Sequence, residues 1–117
     1  MTVPDATPFK IEKKETAVIA QPQMKLMDEN ELQKLGHLIE EATGPGSGIT
    51  LVIVDLCHVD MLPSLGLGLL VQLSNKCKAR QQKLKLAGLR PPVRRVLAIT
   101  RLDRIFEMAP SVEAALQ

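Results

Sequence analysis

Apolar and polar positions alternate along this chain in two distinct periods. Phe9–Glu12 and Thr16–Ala20 alternate or run apolar around a charged break at Lys13–Glu15, which predicts two short strands joined by a tight turn. Leu32, Leu35, Ile39 and Ala42 then recur at helical spacing. Asp28 and Glu31 ahead of them have the spacing of a capping box. Gly36 inside this helix costs about 1 kcal/mol against alanine. The stretch TGPGSG, Thr43–Gly48, is a loop by composition. Thr50–Leu56 is a continuous β-branched run ending near Asp55, the pattern of a strand buried on both faces. Ser64–Arg80 predicts a helix with Gly66, Leu69, Leu70, Leu73 and Cys77 on one face and Gln72, Asn75 and Ala79 opposite. Lys83–Ala87 is a further strand. Pro91 and Pro92 suit the entry of a third helix, whose inner face would be Val93, Val96, Leu97 and Thr100. Ile105–Met108 predicts a last short strand, and Ser111 caps a terminal helix with Glu113 in its first turn. The fold class is therefore α/β: a sheet of four to five strands flanked by about four helices. Residues 1–8 are expected to be a flexible N-terminal segment and 9–117 a single domain.

Composition narrows the function. With two Phe and no Tyr or Trp among 117 residues, the core is expected to consist of Leu, Ile, Val, Ala and Met. The same scarcity argues against a single-stranded nucleic-acid platform, which stacks bases on aromatic rings. A net charge of +2 is too small to indicate direct nucleic-acid binding. No apolar stretch reaches the length of a membrane span, and the first residues lack the apolar segment of a signal peptide, so a cytoplasmic protein without membrane insertion is expected. Cys57 and Cys77 do not make a disulfide framework, and with the scattered His37 and His58 they do not make a metal site. No cofactor is expected.

The chemistry-bearing stretch is LPSLGLGLL, Leu62–Leu70. A nucleophile elbow would need glycine two residues before and after Ser64. Here Leu62 stands before it and Gly66 after, and the available bases are His37 and His58. An enzyme is the least supported reading. Gly66-Leu67-Gly68 lacks the third glycine of a dinucleotide fingerprint, since Val71 occupies that place. The simpler reading is that Gly66 lets the helix start pack closely on the sheet. Arg90, Arg94, Arg95, Arg101 and Arg104 form a basic group, either a solvated face or a surface for an acidic partner. Leu65, Leu67, Leu69, Leu70 and Val71 cannot all be buried on one side of a helix, so some must face a neighbour or a partner.

The segment VIVDLCHVDMLPSLGLGLLVQL, Val52–Leu73, resembles the signature of STAS domains, the anti-sigma-factor antagonist modules also found on sulfate transporters. Members usually read Asp-Leu-Ser-x-Val, two residues, then Asp-Ser-Ser-Gly-Leu-Gly. PPVRRVLAITRLDRIFEMAPSVEAAL, Pro91–Leu116, is similar to the family's Pro-x-Val-x-x-Val-Leu-x-x-Thr-Gly-Leu-Asp-x-Ile-Phe ending. The resemblance implies a mixed sheet with flanking helices and a non-catalytic, protein-binding regulatory module. The implied partner is an anti-sigma factor or kinase-like protein, with a homodimer as a further association. The implied partner-binding residues are His58, Met61, Leu62, Pro63, Ser64, Leu65, Leu67, Gly68 and Val71. Two departures stand out. The family's phosphorylated second serine falls on Leu65, which has no hydroxyl, so the usual switch is expected to be lost. Ser64 is then expected to cap its helix, with phosphorylation of Ser64 as the alternative. Arg101 stands where the family prefers glycine past a helix, at about 1 kcal/mol or more if a left-handed conformation is kept there. Two other functions stay open: a subunit docking on a membrane transport complex, and a small-ligand or nucleotide sensor.

Overall fold

The computed structural model describes residues 9–44 and 46–117, Leu65 as backbone alone; the expected N-terminal segment 1–8 lies outside these residues. The first apolar runs form strands β1 (Phe9–Lys14) and β2 (Ala17–Pro22), an antiparallel hairpin turned by Glu15 at positive φ. Helix α1 (Glu29–Ala42) follows, with Asp28 Oδ1 accepting from the Glu31 backbone N–H at 2.9 Å. Next come strand β3 (Leu51–Asp55), helix α2 (Ser64–Ala79), strand β4 (Lys83–Ala87), helix α3 (Pro91–Ile99), strand β5 (Glu107–Ala109) and helix α4 (Val112–Leu116). The strands lie in the order β1-β2-β3-β4-β5, and β2 to β5 run parallel to one another. The mixed five-stranded sheet and four helices match the expected α/β class.

The pleat of the sheet sorts side chains between its two faces. Val18, Ala20, Val52, Val54, Leu84 and Leu86 turn toward α1, α2 and α3, where Leu35, Ile39, Leu70 and Leu97 meet them. Ile19, Ile53 and Ala87 turn to the opposite face, which α4 covers through Ala115. Residues 52–54 are therefore fully buried on both faces. Lys85 fixes α4 by donating to the Ala115 carbonyl at 2.9 Å, an orphan acceptor at the helix end. Both phenylalanines, Phe9 and Phe106, also enter the core.

The last strand differs from its expected span. Arg101 does adopt the left-handed conformation, φ 63°, and a short 3-10 turn takes up Leu102–Arg104. Ile105 closes that turn, so pairing starts two residues later than the apolar pattern suggests. Thr100 also departs from the expected inner face of α3. It is exposed, and its hydroxyl donates back to the Val96 carbonyl at 2.8 Å.

Candidate functional site

The segment between β3 and α2 is held from below by three apolar side chains. Leu56, Val59 and Leu62 are all buried, three residues apart. The residues between them are pushed outward: His58, Met61 and Ser64 are exposed, and Cys57, Asp60 and Pro63 are half-buried. Backbone bonds fasten this loop to the stretch before α1. The Asp60 and Met61 N–H groups both donate to the Lys25 carbonyl, at 2.7 and 3.1 Å, and the Met61 carbonyl accepts from Met27 at 3.3 Å. Leu26 and Met61 thus lie side by side in an isolated parallel bridge, 58% and 60% exposed. A third segment completes the corner: Arg90 reaches across to Asp60 at 3.0 Å and to the Cys57 carbonyl at 3.4 Å.

Helix α2 opens at Ser64, with Pro63 as the residue before its first turn. Ser64 does not cap the helix, contrary to expectation. It is already the first helical residue, and a side chain there lies past the position from which it could reach back to an N–H of the next turn. Its hydroxyl is exposed. Leu62 and Leu67 point into the core, 4% exposed each, while Gly68 is exposed and Val71 half-buried. The side chain of Leu65 lies outside the described residues. Leu26 and Arg90 were not picked out as parts of this corner by sequence pattern, since neither sits in a periodic run that points toward the loop.

Gly66 is buried because α1 crosses above it. A Cβ at this position would overlap Leu32 Cδ1, so any side chain here would require Leu32 to shift. The close approach is thus to α1 rather than to the sheet.

Beneath the loop lies a small polar cluster. The Asp55 carboxylate, 8% exposed, accepts from Gln21 Nε2 at 2.9 Å and from the Cys57 N–H at 3.1 Å. Gly88, at φ 66°, packs on both, and a Cβ there would stand 3.1 Å from Asp55 Oδ1. Burial, with the adjacent Asp55 carboxylate, pushes the Cys57 thiol above its ordinary pKa. A thiol so shifted is a poor nucleophile at neutral pH. His37 lines a separate groove between α1 and α2 with Glu40 and Lys76, which pair at 2.8 Å. Among the described residues, no histidine hydrogen-bonds Ser64, and no three His, Cys, Asp or Glu side chains converge as a metal site. No helix among them is long and apolar enough to cross a membrane.

Comparison with solved structures gives the same architecture. A Mycobacterium paratuberculosis anti-sigma factor antagonist superposes with a TM-score of 0.77 at 22% identity, covering 99% of this chain and 96% of that one. A Thermotoga maritima protein described as a candidate anti-sigma factor antagonist superposes with a TM-score of 0.79 at 21% identity, covering 92% and 91%. The murine solute carrier 26 member A9 anion transporter aligns with a TM-score of 0.75 at 16% identity, over 90% of this chain and 18% of the transporter. At these identities the likeness is one of fold. The family model of the STAS domain, however, matches residues 9–115, nearly all of the sequence. This chain belongs to the STAS domain family.

Proposed function

We propose that this protein is a non-catalytic regulatory module of the anti-sigma-factor antagonist kind, acting in the cytoplasm on a kinase-like anti-sigma factor. The contact surface is the β3–α2 loop with the first turns of α2. His58, Met61, Pro63, Ser64, Gly68 and Val71 form its face, and the buried Leu62 and Leu67 hold that face in place. The observation that carries this reading is the paired exposure of Leu26 and Met61 at the entrance of α2. Two large apolar side chains held side by side in water by backbone hydrogen bonds favour a surface that a partner covers. The Mycobacterium and Thermotoga proteins of the same fold are described as antagonists or candidate antagonists. With leucine at position 65, this docking is not released by phosphorylation there, and the module acts constitutively unless Ser64 accepts the phosphate.

The test is a calorimetric titration against the kinase-like anti-sigma factors of the same genome, using Met61→Asp and Leu26→Asp. Each aspartate should weaken the complex by about 1–3 kcal/mol, the cost of desolvating an unpaired charge. Unchanged affinity in both variants removes this corner from the interface. A second reading, docking on a membrane transport complex, draws on the superposition with the murine anion transporter. Recovery of the chain with a membrane fraction rather than with a soluble kinase-like protein would favour it.

A further inference from the structure

The arginines of this protein are segregated. Five of its six arginines fall in residues 90–104, where one acidic residue, Asp103, stands among them. That stretch carries a net +4, so the remainder of the chain is −2. Arg90 is committed to Asp60, but Arg94, Arg95, Arg101 and Arg104 are exposed and have no ion-pair partner among the described residues. The lysines lie elsewhere in the chain. Guanidinium forks match carboxylates two bonds at a time, which ammonium groups do not.

These arginines flank the free edge of the sheet. Strand β5 has β4 on one side and, among the described residues, no strand on the other. The Ala109 carbonyl accepts from the Gly88 N–H on the β4 side, so the alternation of a strand directs the Met108 N–H and C=O outward. The Met108 side chain is 40% exposed and turns toward α3. There it lines a groove of about 460 Å³ with Pro91, Arg94, Arg95, Ala98 and Asp103. A neighbouring hollow of about 300 Å³ shares Arg94 and Met108 and adds Leu89, Ala109 and Pro110. Glu107, the carboxylate of β5 itself, is turned to the other face and paired with Lys85 at 3.4 Å.

We propose that the β5 edge and the arginine face of α3 form a second docking site, for an acidic polypeptide segment that binds in extended conformation as an added strand. The backbone of such a segment would pair with Met108, its apolar side chains would enter the groove over Met108 and Ala98, and its carboxylates would meet Arg94 and Arg95. Charges can also serve to guard an edge against pairing, but guarding charges stand on the edge strand itself. Here the outward position of β5 is an apolar methionine and the cations stand behind it. A polypeptide fits better than nucleic acid. Only a peptide backbone satisfies an outward N–H and C=O together. This inference does not depend on the reading of the α2 entrance, because the two sites share no residue.

The experiment is a fluorescence-anisotropy titration of the full chain with a labelled peptide of alternating Glu and Val, about ten residues long, the span of a long strand. The expected result is saturable binding that weakens with salt. It should be lost by at least about tenfold in the Arg94→Glu/Arg95→Glu variant, since truncating or reversing interfacial charges costs at least that much. The same peptide with alternate backbone nitrogens methylated, which keeps every carboxylate, should also lose about tenfold, because it cannot pair along the edge. Met61→Asp should bind the peptide as the parent does, which separates this site from the α2 corner. Absence of saturable binding, or equal binding by the arginine variant, overturns the proposal. Equal binding of the methylated peptide, or equal competition by a short DNA duplex, overturns it in favour of a surface that reads charge alone.

Discussion

Two glycines two residues apart in α2, Gly66 and Gly68, should respond differently to the same substitution. Gly68 is exposed, and a Cβ there meets nothing within 4 Å. Gly68→Ala should therefore recover the helix-propensity difference of about 1 kcal/mol. Gly66→Ala carries the same gain, but its methyl would enter the space of Leu32 Cδ1. Leu32 is 4% exposed and packed into the main core, so its side chain cannot swing into water to make room. Overpacking of this kind costs about 1–3 kcal/mol, which cancels or reverses the propensity gain. The separation between the two variants should then be about 1–3 kcal/mol. In a Leu32→Ala background the obstructing methyl is gone, and Gly66→Ala should stabilise by about 1 kcal/mol, as Gly68→Ala does. Urea unfolding measures each step, and an unchanged m-value would confirm that the shifts in midpoint are shifts in stability. If Gly66→Ala stabilises the parent as much as Gly68→Ala does, Leu32 Cδ1 does not obstruct position 66.

Three further outcomes follow from the same geometry. Gln82 is buried and donates to the Thr43 and Ile49 carbonyls at 3.1 Å each, clamping the ends of the α1–β3 loop, so Gln82→Leu should cost about 2 kcal/mol in chemical denaturation. Arg101 holds φ 63°, so Arg101→Gly should raise stability by about 1 kcal/mol in the same assay. A loss there would show that the arginine side chain stabilises the turn. Burial, and for Cys57 also the Asp55 carboxylate, raises both thiols above their ordinary pKa. The folded state then holds these protons longer than the unfolded chain does. Stability should be intact below about pH 8.5 and decline above it, and Cys57→Ser/Cys77→Ala should flatten that alkaline limb in pH-dependent unfolding.

The corner at α2 and the edge at β5 lie on surfaces shaped differently by the same sheet. At the corner, buried anchors three residues apart present a loop whose exposed apolar side chains are fixed by backbone bonds. At the edge, the sheet stops at β5 among the described residues, and Met108, Arg94 and Arg95 line a groove beside it. In the proposed docking, the corner offers shape and apolar area, and the edge offers charge and unpaired backbone groups.

Local physics fixed most of the elements. The period of Leu32, Leu35 and Ile39, the β-branched run at Val52–Val54, the Asp28 and Ser111 caps and the prolines opening α3 all act over a few residues, and all were legible without coordinates. The motif at Val52–Leu73 likewise pointed to the β3–α2 loop that we propose as the contact face. What depended on distant residues was not legible. Ser64 failed as a cap because the helix begins one residue earlier than its hydroxyl requires, a register set by the burial of Leu62 and Leu67. Leu26 joins Met61, Arg90 joins Asp60, and Gln82 spans Thr43 and Ile49, each across more than 29 residues, so no periodicity could announce them. Periodicity records which face of an element is buried. Which elements meet, and which side chains they leave in water, is decided by how strands order themselves in the sheet and helices cross above it.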